Sequence, residues 1–497
     1  MLTATRTDIA LAGLSVLTGC ASLPRERGYA ETAALVDART GRAANLPQEA
    51  VEPVTRAPVP REPLDIEQAV RLAFERNPRV REAYARLGVG RADLEEARRI
   101  ANPTFGYAYL DARGDGSQIT RSVSVGLADL LLLPARKRFA EGELERLQAS
   151  VAADLVDLAA QVEAAWYENV SARQVATMRD VVARAAEHSA ELAQRFFRAG
   201  NIDRLQLERE LAAAAQARID AVRAQADALR ARGTLAGLLS LPLTSPWRTT
   251  ERLAEPPAVS TDADAIVRQA LDQRLDLAAA RQEVALLEDA LGITRRWRWL
   301  GAIDVGYERE SEIDGTVLRG PSLSLQLPIF NQSQGAVARA RADLDAARAR
   351  LDALALAVSN DASLGLERLA VTREIAERYR TALVPHREAI VARSQEQVNF
   401  MLIGVFELIV AKQDEYDAYQ AYLEAVRDYW VARSDLRRLA GGRLPDDGTA
   451  LEPTIGVESI LPSPQRSHDS GHDNADDEAE QSDSAPPDEH RHHGDAP

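Results

Sequence analysis

From Ala135 to Ala199 the chain carries no proline and a single glycine, Gly142. The rest of that run is rich in Ala, Leu, Glu, Gln and Arg, all strong helix formers. At 1.5 Å of rise per residue, roughly 65 residues make a rod about 100 Å long. Helices of compact domains average about 11–12 residues, so a rod of this length needs neighbours along its whole course. A break at Ala199-Gly200-Asn201 and a second helical run to Leu239 make it one arm of a hairpin, 135–239. Aromatic residues are only 5% of the 497, so the seams between helices must be closed by small side chains and not by a thick core.

The net charge is −16, which argues against a nucleic-acid partner, since phosphate binding needs a basic surface. Much of it is local: Ser463 to Pro497 holds ten acidic residues against Arg466 and Arg491. Residues 446–497 therefore read as a disordered acidic tail. Five histidines lie there, His468, His472, His490, His492 and His493. Among carboxylates they offer either loose capture of zinc, copper or nickel or nothing beyond a solvated tail. No fixed tetrahedral set is implied.

The one cysteine, Cys20, sits in Leu17-Thr18-Gly19-Cys20-Ala21 behind a short apolar run, Ile9 to Val16, with Arg6 in front. This has the shape of a signal peptide, residues 1–19. The small residue before the cysteine resembles a bacterial lipoprotein box, in which Cys20 becomes the acylated first residue. Acyl chains anchor without spanning the bilayer, and no later segment has 18 consecutive apolar residues. Residues 20–63, with six prolines, read as an extended lead.

Beyond the lead the chain repeats itself at an offset near 200. Helices begin at Leu64-Asp65-Ile66 and break at Asn77-Pro78; Asp264 opens a second such pair, with Val267 and Ala270 answering Val70 and Ala73. After Asn102-Pro103 the apolar period falls to two, as Phe105, Tyr107 and Tyr109, and then Val123, Val125 and Leu127, alternate with small residues. That predicts a β-hairpin over about 103–128. Gly306-Tyr307 and Ser322-Leu323-Ser324 return Gly106-Tyr107 and Ser122-Val123-Ser124, giving a second hairpin over about 301–327. Repeat 1 is thus 64–245 and repeat 2 is 246–445, with its long helical hairpin at 333–441.

In the second β-hairpin Ile303, Val305 and Tyr307 face one way, while Asp304, Gly306, Glu308, Glu310 and Glu312 face the other. An apolar and a polar face over about ten residues is the pattern of a membrane barrel strand. Four strands cannot close a barrel, and lipid does not tolerate open edges. Closure needs several copies, most simply three and hence twelve strands. The fold class expected is mainly α with membrane β. Two tandem repeats, each a long helical hairpin plus a β-hairpin, would form a trimeric 12-strand β-barrel continued by a periplasmic α-helical barrel.

The lipobox, the two repeats and the closing helix together resemble the TolC-type outer-membrane efflux factors. The residues that carry the resemblance are Glu75-Arg76-Asn77-Pro78, Arg274-Leu275-Asp276-Leu277, Leu327-Pro328-Ile329-Phe330-Asn331 and the stretch from Tyr419 to Trp430 before Gly441-Gly442. Leu275 stands where the family usually has proline. The resemblance implies no enzyme and no cofactor. It implies a homotrimeric exit duct in the outer-membrane lipid, lipid-anchored, with a periplasmic adaptor protein and an inner-membrane transporter as partners. The closing stretch is most similar to the branch exporting cobalt, zinc, cadmium or copper ions. The alternative is a periplasmic adaptor lipoprotein of such a pump, which would have one helical hairpin flanked by small β-domains.

In the resemblance the duct narrows at the helical turns. Glu407 matches an acidic position after the second turn, and threefold symmetry would make it a ring of carboxylates favouring cations; otherwise it is a solvated helix residue. Gln206 holds the first-repeat position, with Asp203 and Arg204 beside it, while Val398 and Ile403 stand at the places of the family's aromatic and basic gate partners, which are not reproduced here. Around Gly200 and Gly404 the turns are candidates for adaptor docking or for packing of the tunnel tip. The apolar Phe400, Met401, Leu402, Ile403, Val405 and Phe406 would serve either.

Overall fold

The computed structural model describes residues 29–44, 62–111, 116–257, 262–299, 301–444, 447 and 453–454. Cys20 and the five tail histidines lie outside the described residues. Within them the chain is mostly helical, with one small sheet.

The proline-bearing lead contains a helix, α1 (Tyr29–Thr40), where an extended segment was expected. Its prolines lie outside the run, and Thr32, Ala33 and Val36 repeat on one face and are buried. The Tyr29 ring meets Tyr84 edge-on, with centroids 5.2 Å apart. The docking surface supplied by other helices, more than local propensity, makes this short helix stable.

Repeat 1 opens with α2 (Ile66–Arg76) and α3 (Pro78–Ala97). Asp65 and Gln68 form a reciprocal capping box at the start of α2, satisfying two N–H groups that the first turn leaves over. Asn77 ends α2 and caps α3, accepting from the Arg79 N–H at 2.9 Å and donating to the Leu238 carbonyl at 2.8 Å. Pro78 takes the first helical position, where a missing N–H does no harm. Strands β1 (Thr104–Asp111) and β2 (Ser117–Gly126) follow. Next come α4 (Leu127–Arg198) and α5 (Arg204–Leu239).

At 72 residues, α4 is longer than the sequence suggested. It starts directly after Gly126, and Leu127–Leu133, all good helix formers but Asp129, carry it through Pro134 at the loss of one hydrogen bond.

Repeat 2 mirrors this order with α6 (Ala263–Gln273), α7 (Leu275–Trp297), β3 (Ile303–Ser311) and β4 (Val317–Leu325). Its outer arm is divided into α8 (Gln334–Arg378), a π-turn at Tyr379–Leu383, and α9 (Val384–Asn399). Pro385 follows the π-turn, and a wider turn of that kind absorbs the hydrogen bond a proline cannot make. The return arm is α10 (Val405–Leu439).

The main core lies midway along α4, where α4 packs against α1, α2 and α10, and α6 and α10 pack against α8. Tyr167 stacks on Trp430 at 5.4 Å, and Trp166 and Tyr429 pack edge-on against that pair. Each indole finds an acceptor: Trp166 donates to the Leu64 carbonyl at 3.0 Å and Trp430 to the Ala254 carbonyl at 2.7 Å, as a buried indole N–H requires. Farther along, Gly142 brings α4 against α7, for a Cβ there would lie 2.5 Å from Leu286.

A buried ionic cluster ties four segments together. Glu163 on α4 accepts from Arg42 at 2.7 Å, Arg437 at 2.9 Å and Ser434 at 2.8 Å. Arg433 and Arg437 also reach Asp447, at 3.0 and 3.1 Å, and Asp447 accepts from the Leu444 N–H. Burial alone would lower the Arg437 pKa, but Glu163 and Asp447 outweigh it and hold the guanidinium above its ordinary value.

Candidate functional site at the hairpin tips and in the sheet

The two helical hairpins end in the same chain reversal, with opposite chemistry. After α4, the Asn201 N–H returns to the Phe196 carbonyl at 2.9 Å and the Gly200 N–H to the Phe197 carbonyl at 3.0 Å. After α9, Leu402 returns to Gln397 and Met401 to Val398, both at 2.9 Å. Both are Schellman closures, which need left-handed backbone at one residue. In the first tip that residue is Gly200, at φ +79°; in the second it is Met401, at φ +58°. A side chain there costs roughly 1–2 kcal/mol, yet Met401 is 92% exposed and Phe400 and Leu402 are also exposed.

The tips lie side by side, since Phe196 at the end of α4 meets Phe406 at the start of α10 edge-on, at 6.1 Å. Ile403 is half-buried, and Gly404 is the N-cap of α10.

Of the polar tip residues, three are engaged within the first tip. Asp203 is the N-cap of α5 and accepts from the Gln206 N–H at 2.8 Å. Arg204 faces Glu208 at 3.5 Å. Gln206 donates to Glu210 at 2.9 Å, and the buried Glu210 also accepts from Ser189. Glu407, in the first turn of α10, is exposed and has no ion pair among the described residues. It lies beside the positive end of the α10 dipole, which favours a carboxylate. Sequence reasoning placed all four together as gate candidates; only Glu407 is uncommitted.

At the other end of the rods the four strands form one antiparallel sheet in the order β1-β2-β3-β4. Within the sheet the repeats join at β2 and β3, where Val123 pairs with Tyr307 and Val125 with Val305. Because paired residues share a face, the register sorts the whole sheet. One face carries Phe105, Val123, Tyr307 and Pro321 in one row, and Val125, Val305 and Leu323 in the next. The opposite face carries Gly106, Ser122, Glu308 and Gly320, then Gly126, Asp304 and Ser324. Gln118 and Glu310 are hydrogen-bonded across β2 and β3 on that polar face. Apolar-face residues such as Phe105, Tyr307 and Leu323 are 66%, 54% and 70% exposed. Among the described residues nothing pairs with the outer edges of β1 and β4.

No helix among the described residues is long and apolar enough to cross a membrane. Nor do the described residues contain a group of three or more His, Cys, Asp or Glu placed to hold a metal ion.

No family model and no curated protein matches the sequence. Solved structures do match, over nearly their whole length. The CmeC outer membrane channel of Campylobacter jejuni aligns over 79% of this chain and 88% of its own, at 13% identity and a TM-score of 0.64. CusC, described for its transmembrane channel formation, aligns over 80% and 99%, at 15% identity and 0.62. The open-state MtrE outer membrane channel of Neisseria gonorrhoeae aligns over 76% and 89%, at 15% identity and 0.62. The chain has the fold of these outer-membrane channels.

Proposed function

We propose that the protein is the outer-membrane exit duct of a tripartite efflux pump, acylated at Cys20 and working as a homotrimer. The observation that carries this reading is the sheet. It has one apolar and one polar face, both edges are unpaired among the described residues, and it sits at one end of two long helical hairpins in a channel fold. Three copies would supply twelve strands and remove every edge, and the helices would continue the duct into the periplasm. The adaptor reading is disfavoured by the pairing of β2 with β3, which joins both repeats into a single sheet.

The polar face would line the lumen, where Asp304, Glu308 and Glu310 from each copy favour cations over anions. A ring of Glu407 at the tip would act in the same sense. We therefore favour metal cations or small cationic toxic compounds as cargo. The exposed Phe400-Met401-Leu402 tip would meet the adaptor, which in turn engages the inner-membrane transporter.

Conductance in planar bilayers with detergent-purified protein tests this directly. Long-lived cation-selective channels are expected, with selectivity reduced in Glu407→Ala. Unchanged selectivity would remove the ring and keep the duct. No conductance from folded trimers, even after both tips are disrupted, would overturn the duct.

A further inference from the structure

We propose that Arg121, Arg309 and Arg319 form a row on the outward face of the sheet that binds the phosphates of outer-leaflet lipid. The proposal rests on the reading of the sheet as one third of an outer-membrane barrel.

The register makes the row: Tyr107 pairs with Arg121, Arg121 with Arg309, and Arg309 with Arg319. Four neighbouring strands thus contribute one tyrosine and three arginines to one row across the sheet. Parity puts them on the apolar face, two residues along each strand from Phe105, Val123, Tyr307 and Pro321. All three arginines are exposed, and among the described residues none of their side chains makes an ion pair or a hydrogen bond. Of the sheet's carboxylates, Asp304, Glu308 and Glu310 are on the opposite face, and Asp111, at the turn end of β1, is the one on the arginine face.

Like charges directly opposite one another on a sheet destabilise it. An arginine on the lipid face costs about 2–4 kcal/mol at the bilayer midplane and about 0–1 near the interface. Three together are tolerable only at headgroup level, with anions among them.

The level of the row agrees. Both hairpins turn at the end away from the helices, and Arg309 and Arg319 are each two residues from that end of their strands. At the helix end, Trp299 is exposed with Arg298 stacked on its ring at 4.7 Å. Aromatic and basic residues of this kind mark a bilayer interface. Lying next to the hairpin turns, at the end of the strands away from the helices, the row falls at the outer interface, with Tyr107 as its aromatic member. Guanidinium groups bind phosphate oxygens in bidentate pairs. On a convex, open face with no pocket to concentrate a free ion, the fitting occupant is a phosphate already held in the headgroup plane.

The test uses purified full-length protein in phosphatidylcholine vesicles doped with bis-phosphorylated lipid A or with its dephosphorylated form. Native mass spectrometry after gentle re-extraction counts the lipid retained. The phosphorylated lipid should be retained and the dephosphorylated form should not. The triple variant Arg121→Gln, Arg309→Gln, Arg319→Gln should lose retention about tenfold, the order expected from losing charge-assisted contacts. The matching triple lysine variant should keep part of it. If the glutamine variant does not fold, Arg309→Gln alone should show a partial loss. Equal retention of both lipids, or full retention by the glutamine variant, would overturn the row. Displacement of lipid A by millimolar inorganic phosphate would reassign it to free anions. Wild-type protein that enters no vesicle would sink the barrel reading and the row together; insertion without retention sinks the row alone.

Discussion

The outer arms of the two hairpins are related by the repeat but surrounded differently. Along α4, Val162, Val170, Met178 and Ala183 are wholly buried. On α8, Leu356, Leu364, Val371 and Ile375 are 45–69% exposed, spaced eight, seven and four residues apart. One arm is clothed by its own chain, while the other carries an uncovered apolar seam at helical spacing. A repeated sequence need not give repeated burial, because the two copies can face different partners. Here the first copy holds the protomer together, and the bare seam on the second is the surface that the proposed trimer would cover.

The sharpest way to probe the clothed arm is Glu163→Ala. It takes from Arg42 its ion-pair partner and from Arg437 one of two, Asp447 remaining, and breaking a buried pair costs about 3–5 kcal/mol. A large drop in the urea midpoint of detergent-solubilised protein is expected, at fixed concentration because assembly adds to stability. A drop no larger than that of a surface variant would mean the cluster does not anchor the lead to the rods.

The next largest effect is a paired one. Met178→Ala empties a fully buried site and should cost about 2–5 kcal/mol. Leu364→Ala should change the protomer by less than about 0.5 kcal/mol but shift the trimer–monomer balance toward monomer in sedimentation. Equal effects of the two on the protomer would break the comparison between the arms. Gly142→Val comes after these. Its new carbon meets the Leu286 methyl, and overpacking of that kind costs about 1–3 kcal/mol, read as a lowered thermal midpoint. No change would mean that α7 moves aside freely.

Much of this fold is legible in the sequence because periodicity is a local signal. The switch from a period near 3.6 to a period of two at Asn102-Pro103, and the return of Gly106-Tyr107 as Gly306-Tyr307, give the order of helices and strands without any tertiary knowledge. What cannot be read is set by non-local contact. Helix α1 exists because Val36 and Tyr29 find a surface, and its own residues give little sign of one. Pro134 and Pro385 look alike as breakers, yet one is passed through and the other is met by a π-turn, a difference decided by packing around each helix. In the tip, the acidic character of Glu407 is readable. The commitment of Asp203, Arg204 and Gln206 to local partners is not, apart from Asp203, whose place three residues before Gln206 is an N-cap signal.

The tips give the smallest effect and the finest contrast. Gly200 and Met401 occupy the same left-handed position in two otherwise matching closures. Glycine adopts that backbone without a steric penalty, so Met401→Gly should raise stability by about 1 kcal/mol and Gly200→Met should lower it by a similar amount. A thermal melt of each variant reads both signs. If Met401 were there for stability, its replacement by glycine would lower the melting temperature, and its exposed side chain would have to be packing against its own chain. If it is there for a partner, the same variant is more stable yet weaker in binding a periplasmic adaptor, measured by pull-down against wild type. Strain retained at an exposed apolar tip, when the sister tip avoids it with glycine, is expected where a side chain serves contact with another molecule. The two readouts therefore move in opposite directions only if the second tip is the docking end.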